Sequence, residues 1–214
     1  MSRVNLVKPS VTFEEIAPQI EKIIKSGIYS NGENINEFSK KISKLTKAKF
    51  CFPTSSATTA LWTCLKILDI KEGDEIIVSD FSYPATVNVI EDLGAKPIFA
   101  DVSIDNFNML PSELEKKISS KTKAVIFVDA LGNPSGINKI NKICKEKNIT
   151  LIEDAACAIG SSELGKKCGS ISDLTCFSFH PRKIICAGEG GAITTNNEYF
   201  AEKLKIKLSH GSKK

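Results

Sequence analysis

From Phe50 onward the sequence repeats one alternation, and this constrains the fold more than any other feature. Short apolar runs recur at Phe50–Pro53, Glu75–Val78, Pro97–Ala100, Ala124–Val128, Ile149–Glu153, Leu174–Phe177 and Ala192–Thr195. Between most of them lie stretches with helical spacing: Ser56–Leu68, Ala85–Leu93, Ser112–Ile118 and Ile137–Lys147. Short apolar strands separated by amphipathic helices require crossover connections. The pattern predicts an α/β fold, a mostly parallel seven-stranded sheet flanked by helices. No long helix separates Leu174–Phe177 from Ala192–Thr195, so one of these two is expected to run antiparallel. Glu198–Leu208 reads as a last helix. The opening of the chain differs. Phe13–Ser26 and Ile35–Leu45 are helical in pattern, broken by the turn-rich Ser30–Asn34. This predicts an N-terminal helical arm over residues 1–48 and one large domain over 49–214.

Composition excludes several classes of function. The hydrophobic fraction of 42% and charged fraction of 25% are ordinary for a soluble globular chain. No apolar run approaches the roughly 20 residues that span a bilayer. Met1 to Phe13 lacks the apolar core of a signal peptide, so a cytoplasmic protein without a membrane partner is expected. The net charge of +4 is mild, and lysines alternate with acids, as in Glu113–Lys117. That is the pattern of solvated helix faces rather than a nucleic-acid footprint. The seven cysteines show no Cys-x-x-Cys spacing, so neither a zinc site nor a disulfide framework is expected. Most read as reduced core residues; Cys157 and Cys186 stand apart because of their neighbours. No Gly-x-Gly-x-x-Gly follows the first strand and no Gly-Lys-Ser/Thr loop occurs, which removes support for a nucleotide-binding reading.

Three stretches at expected strand ends carry chemistry, and open α/β sheets place ligand sites at such ends. Thr54-Ser55-Ser56-Ala57-Thr58 puts small and hydroxyl residues at a helix start. There, free backbone N–H groups and the helix dipole favour an anion such as phosphate; Ser and Thr are also ordinary helix caps. Leu151-Ile152-Glu153-Asp154 is an apolar strand ending in two acids. Strand neighbours face opposite sides, so one of the two enters a given site. A buried carboxylate needs a partner, for which a protonated pyridine ring, a lysine or a capped backbone would serve. Phe177-Ser178-Phe179-His180-Pro181-Arg182-Lys183 precedes the glycine-rich Gly188-Glu189-Gly190-Gly191. A lysine between a proline turn and such a loop is held, and its amine is suited to forming an imine with an aldehyde. Arg3 and Arg182 are the only arginines, and Arg182 beside Lys183 suits planar, forked anion recognition.

Taken together, Ser56-Ala57-Thr58, Glu153-Asp154-Ala155-Ala156, Ser178-Phe179-His180-Pro181-Arg182-Lys183 and Gly188-Glu189-Gly190-Gly191 resemble the DegT/DnrJ family of pyridoxal phosphate (PLP) dependent sugar aminotransferases. Gly94-Ala95-Lys96-Pro97 and Asp101 fit the same order. The resemblance implies the large domain of a fold type I PLP-dependent transferase. It implies that Lys183 holds PLP covalently and shuttles protons between substrate carbons. Asp154 matches the acid on the pyridine nitrogen, Ala57 and Thr58 the phosphate cradle, and Ser178 a phosphate-binding hydroxyl. Tyr83 falls where an aromatic ring stacks on the cofactor, and His180 lies toward the substrate. The implied enzyme moves an amino group from an amino acid, commonly glutamate, to a nucleotide-linked keto sugar. A 4-keto-6-deoxyhexose is the sugar class closest to the His-Pro-Arg-Lys wording. A homodimer is the implied assembly.

Two positions depart from the family pattern. Cys157 stands where members have glutamine or histidine against the ring hydroxyl, and a thiol is a weaker hydrogen-bond partner. Asp129 stands where many members have a histidine, which bears on the substrate side. Members also continue into a smaller C-terminal domain, which this chain is expected to lack. The alternative reading is a non-catalytic domain that binds PLP or a sugar. A related PLP sugar dehydratase carries a histidine in place of the lysine, and Lys183 argues against it. In cysteine desulfurases the lysine directly follows its histidine, whereas Pro181 and Arg182 intervene here.

Overall fold

The computed structural model describes residues 8–212. The first seven residues of the expected arm, Arg3 among them, and residues 213–214 lie outside the described residues. Seven strands form one sheet: β1 (Phe50–Thr54), β2 (Glu75–Ser79), β3 (Lys96–Ala100), β4 (Thr122–Val128), β5 (Thr150–Asp154), β8 (Leu174–Ser178) and β9 (Gly191–Thr195). Their spatial order is β1-β9-β8-β5-β4-β2-β3. The neighbours β3, β2, β4, β5 and β8 pair in parallel. Strand β9 runs antiparallel to both β8 and β1, so it is the reversed member of the pair flagged above. A small antiparallel hairpin, β6 (Ser162–Glu163) with β7 (Lys166–Lys167), was not anticipated.

The helices are α1 (Phe13–Ser26), α2 (Glu33–Thr46), α3 (Ala57–Ile67), α4 (Pro84–Glu91), α5 (Pro111–Lys117), α6 (Ile137–Glu146) and α7 (Glu198–Lys207). Alternation along each central strand sorts the core into two layers. Ile76, Val78, Ile126 and Ile152 face one way and pack with Leu61 and Leu65 of α3 and Phe200 and Leu204 of α7. Ile77, Val125, Phe127 and Leu151 face the other way, against Leu114 of α5 and Ile137 and Ile140 of α6. By the same parity Asp154 belongs to the α3 side and Glu153 to the α6 side. Thus α3 lies across the sheet with its N-terminus above the ends of β5 and β8.

Local capping fixes the helix ends. Thr12 and Glu15 form a reciprocal capping box at the start of α1, though α1 buries none of its residues. The Asn197 side chain accepts from the N–H groups of Tyr199 and Phe200 at the start of α7. Asn197→Ala is therefore expected to cost about 1 kcal/mol, read as a lower midpoint in urea unfolding with an unchanged slope. Among the described residues, no helix is long and apolar enough to cross a membrane.

Candidate active site

A cavity of about 400 Å³ opens where β1, β5 and β8 end. It is lined by eight residues to which the family resemblance gives a place in the site: Ala57, Thr58, Tyr83, Asp154, Cys157, Ser178, His180 and Lys183. Arg182 and Glu189 join them. The residues come from segments more than 120 positions apart in the chain, Ala57 to Glu189, so the sheet order, not local sequence, assembles the site.

One wall is the start of α3. Ser56 is its N-cap and accepts from the Thr59 N–H at 3.1 Å. Helix geometry leaves the first N–H groups without intrahelical partners, so those of Ala57 and Thr58 remain to receive an anion. The close approach of β9 holds this cradle. A side chain at Gly191 would meet the Ser56 carbonyl at 2.5 Å.

The floor is Asp154, the last residue of β5 and 6% exposed. Its Oδ2 accepts from Thr86 Oγ1 at 2.7 Å and its Oδ1 from the Ala156 N–H at 3.2 Å. Burial pushes the Asp154 carboxyl above its ordinary range; those two hydrogen bonds and the Lys183 charge oppose the shift. A buried acid raised in this way, with one face open to a cavity, is stabilised by a cationic group set against it. Thr86, buried in the first turn of α4, was missed in the sequence. Pro84 marks that helix start, but nothing in the sequence aims Thr86 at a residue 68 positions away.

The third wall follows β8. Lys183 N–H donates to the His180 carbonyl at 2.8 Å, closing the proline turn, and Phe179 N–H donates to the Gly190 carbonyl at 2.9 Å. The lysine is held from both sides, as its turn and glycines suggest. His180 Nδ1 accepts from the Arg182 N–H at 3.2 Å, which leaves the proton on Nε2, facing Glu189 at 3.8 Å. Lys183 Nζ lies 3.0 Å from Cys157 Sγ. Tyr83 is 68% exposed at the mouth rather than half-buried in the core. Cys186 is half-buried, and its sulfur accepts from the Gly188 N–H.

Asp129, the other departure from the family pattern, does not line this cavity. It is 2% exposed and lies beneath the sheet end with Glu153 and Cys168, their ligand atoms all within 4.8 Å of one another. Both Asp129 carboxyl oxygens and Glu153 Oε1 lack any other partner. Glu153 Oε2 accepts from Thr175, Ser172 and the Gly169 N–H. Burial first, and then the Glu153 charge, push Asp129 well up, so a single proton held on Asp129 and donated to Glu153 satisfies the pair. Acids raised in the folded state contribute stability that is full below their unfolded values and lost as pH rises through the folded ones. Each such proton changes stability by about 1.4 kcal/mol per pH unit in that window. Asp129→Asn supplies a donor that cannot titrate. Denaturant unfolding from about pH 5 to 8 should therefore fall less steeply in this variant than in the parent. Parallel slopes would refute the shared proton.

Comparison with known proteins agrees with this geometry. The fold is that of PLP-dependent aminotransferases. A Streptococcus pneumoniae protein, Spr1654, assigned as a sugar aminotransferase and solved in PLP and PMP forms, superposes with a TM-score of 0.92 at 29% identity. That match covers 99% of this chain and 59% of the other. The chain belongs to the DegT/DnrJ/EryC1/StrS aminotransferase family, whose profile matches residues 11–214. It is 37% identical to GDP-perosamine synthase of Escherichia coli O157:H7, over 95% of this chain and 56% of that protein. It is also 37% identical to dTDP-3-amino-3,6-dideoxy-alpha-D-galactopyranose transaminase of Aneurinibacillus thermoaerophilus, over 94% of this chain and 56% of that protein. The chain thus spans little more than half the length of these relatives. The family's cofactor is PLP, and the residues present fit it: a helix start for its phosphate, a buried acid for its ring nitrogen, and a held lysine between them.

Proposed function

We propose that this chain forms the cofactor-binding part of a sugar aminotransferase, with residues 49–214 as its large domain and 1–48 as a helical arm. The enzyme takes an amino group from an amino acid, glutamate by preference, and places it on a nucleotide-linked keto sugar, a 4-keto-6-deoxyhexose. The observation that carries this reading is the convergence of Lys183, Asp154 and the N-terminus of α3 on one cavity. The names of the relatives support the sugar class, since each acts on or makes a nucleotide-linked amino sugar.

When bound, PLP supplies an aldehyde and an electron-withdrawing ring. The protein supplies the rest. Ala57 and Thr58 bind the phosphate through backbone N–H groups, and the Ser178 hydroxyl adds a further donor. Asp154 holds a proton on the ring nitrogen through its carboxylate, itself oriented by Thr86. Tyr83 covers one ring face and excludes water. Lys183 Nζ holds the cofactor covalently at rest and afterwards moves a proton between substrate carbons. Cys157 sits beside that amine, and His180 faces the sugar side. The assembly is a homodimer acting without nucleic acid or membrane.

The test is to incubate the purified chain with PLP, reduce with borohydride and map the labelled peptides by mass spectrometry. Pyridoxyl on Lys183 alone is expected. Label spread over many lysines would sink the site assignment. A clean label without any glutamate half-reaction would favour a binding domain over an enzyme. Amination of a 3-keto but not a 4-keto nucleotide sugar would overturn the position proposed.

A further inference from the structure

One contact in the cavity is not used by the roles proposed above. Lys183 Nζ and Cys157 Sγ are 3.0 Å apart. Neither backbone is free to drift. The Cys157 carbonyl packs so closely on Gly132 that a side chain there would meet it at 2.7 Å, and the Lys183 N–H is tied to His180. Cys157 also differs from every other thiol in the chain. Cys64, Cys144, Cys168 and Cys176 are buried, Cys51 and Cys186 are half-buried, and Cys157 alone is exposed. Burial pushes the thiols of Cys51 and Cys144 up to about 12 and raises those of Cys168 and Cys176 as well, which keeps all four protonated and inert to oxidants. Cys157 instead faces a cavity shared by Arg182, Lys183, Asp154 and Glu189, and its nearest charged group is the Lys183 amine, 3.0 Å away. Oxidation selects exposed thiols, and more so those with a cationic group beside them.

We propose that Cys157 and Lys183 form a hydroperoxide-responsive covalent switch, closing as a sulfur–nitrogen bond when the cofactor is absent. A hydroperoxide transfers one oxygen to the Cys157 sulfur. The O–O bond breaks, the thiol is oxidised by two electrons to a sulfenic acid, and hydrogen peroxide is reduced to water. The Lys183 amine lone pair then attacks that sulfur, as sulfenic acids react with nearby nitrogens. The S–O bond breaks, and the leaving hydroxide takes the amine proton as a second water. The net change consumes one thiol, one amine and one hydrogen peroxide, and yields one S–N link and two waters. A small-molecule dithiol reverses it, returning thiol and amine while becoming a disulfide. The bond rests only on the contact. Its consequence, that the closed form cannot take up PLP, rests on Lys183 being the cofactor lysine. PLP on Lys183 would occupy the amine and protect it.

The experiment uses the full chain, with and without PLP, exposed to hydrogen peroxide, digested and mapped by mass spectrometry. The cofactor-free chain should yield a cross-linked peptide pair joining residues 157 and 183, lighter by two hydrogen atoms than the two peptides together. Dithiothreitol should dissolve it and PLP should suppress it. Cys157→Ser should abolish it and Cys186→Ser should leave it. In parallel, peroxide applied before PLP is added should prevent borohydride-fixed pyridoxyl labelling of Lys183, and dithiothreitol applied before PLP should restore it. Cys157 passing to sulfinic acid with Lys183 unmodified overturns the proposal, as does oxidation falling first on Cys186. If Lys183 takes no pyridoxyl even before peroxide, the cofactor assignment fails, while the cross-link map still decides whether the bond forms.

Discussion

Asp154→Asn should lower the rate of the glutamate half-reaction by about 10²–10³-fold, the usual cost of removing one preorganised electrostatic partner. In the cofactor-free chain the same change should raise stability. Both effects follow from one environment. Asp154 is buried under α3, and its two oxygens are already engaged by Thr86 and the Ala156 N–H. Asparagine keeps the shape and one acceptor while removing the charge. Because burial raises the folded-state carboxyl above its ordinary range, the folded chain holds that proton longer than the unfolded chain does. Its stabilising contribution is complete below the unfolded value and is lost as pH rises through the folded one. The variant has no such loss, so the two stability curves should diverge from weakly acidic pH upward. PLP should invert the order. A cationic ring nitrogen repays the parent for its buried charge and repays the variant nothing, so PLP should raise the parent's melting temperature more. Each tenfold difference in affinity corresponds to about 1.4 kcal/mol of that gain. Equal stabilisation of both proteins by PLP would remove Asp154 from the ring nitrogen.

The sheet was legible because parallel strands buried on both faces leave uninterrupted apolar runs, and all seven runs became strands. The sequence boundaries nonetheless stopped one residue short at four places: Pro53 for Thr54, Val78 for Ser79, Glu153 for Asp154 and Phe177 for Ser178. Each missed residue is polar, so it ends the apolar run, while the backbone ladder continues through it. Thr54 and Ser178 both pair with Gly191, and Asp154 pairs with Val128 and Cys176. Asp154 and Ser178 among them line the cavity, so at these two strands the pattern fails where function begins. The β6–β7 hairpin escaped notice because strands of two residues carry no periodicity. Lys183 and Asp154 were legible through neighbouring residues that constrain them. Thr86 and Asp129 were not, because their roles depend on which strands and helices become neighbours. Asp129 in particular sits at a strand end, like the site residues, but the turn through Ala130–Gly132 leaves it facing Glu153 instead.

Gly191→Ala should destabilise the chain by about 3 kcal/mol, at the upper end of overpacking costs, and weaken PLP retention with it. Gly191 is the first residue of β9 and wholly buried, opposite Thr54 in β1 and Ser178 in β8. Its backbone lies outside the left-handed region, so alanine meets no conformational objection. The cost is crowding. A Cβ would lie 2.5 Å from both the carbonyl carbon and oxygen of Ser56 and 2.7 Å from Thr54 Oγ1. These neighbours cannot swing aside. The Ser56 carbonyl accepts from the Ala60 N–H at 3.1 Å and from Thr54 Oγ1 at 2.9 Å, so it is tied into the first turn of α3. To admit the methyl group, either β9 leaves the ladder or the start of α3 moves, and the second displaces the N–H groups of Ala57 and Thr58. Gly188→Ala provides the contrast. Gly188 has φ +81° and nothing within 4 Å of an added Cβ, so it costs only about 1 kcal/mol of backbone strain. Denaturant unfolding and PLP titration of both variants separate crowding from strain. If Gly191→Ala stays within about 0.5 kcal/mol of the parent, β9 is not what holds the phosphate cradle in place.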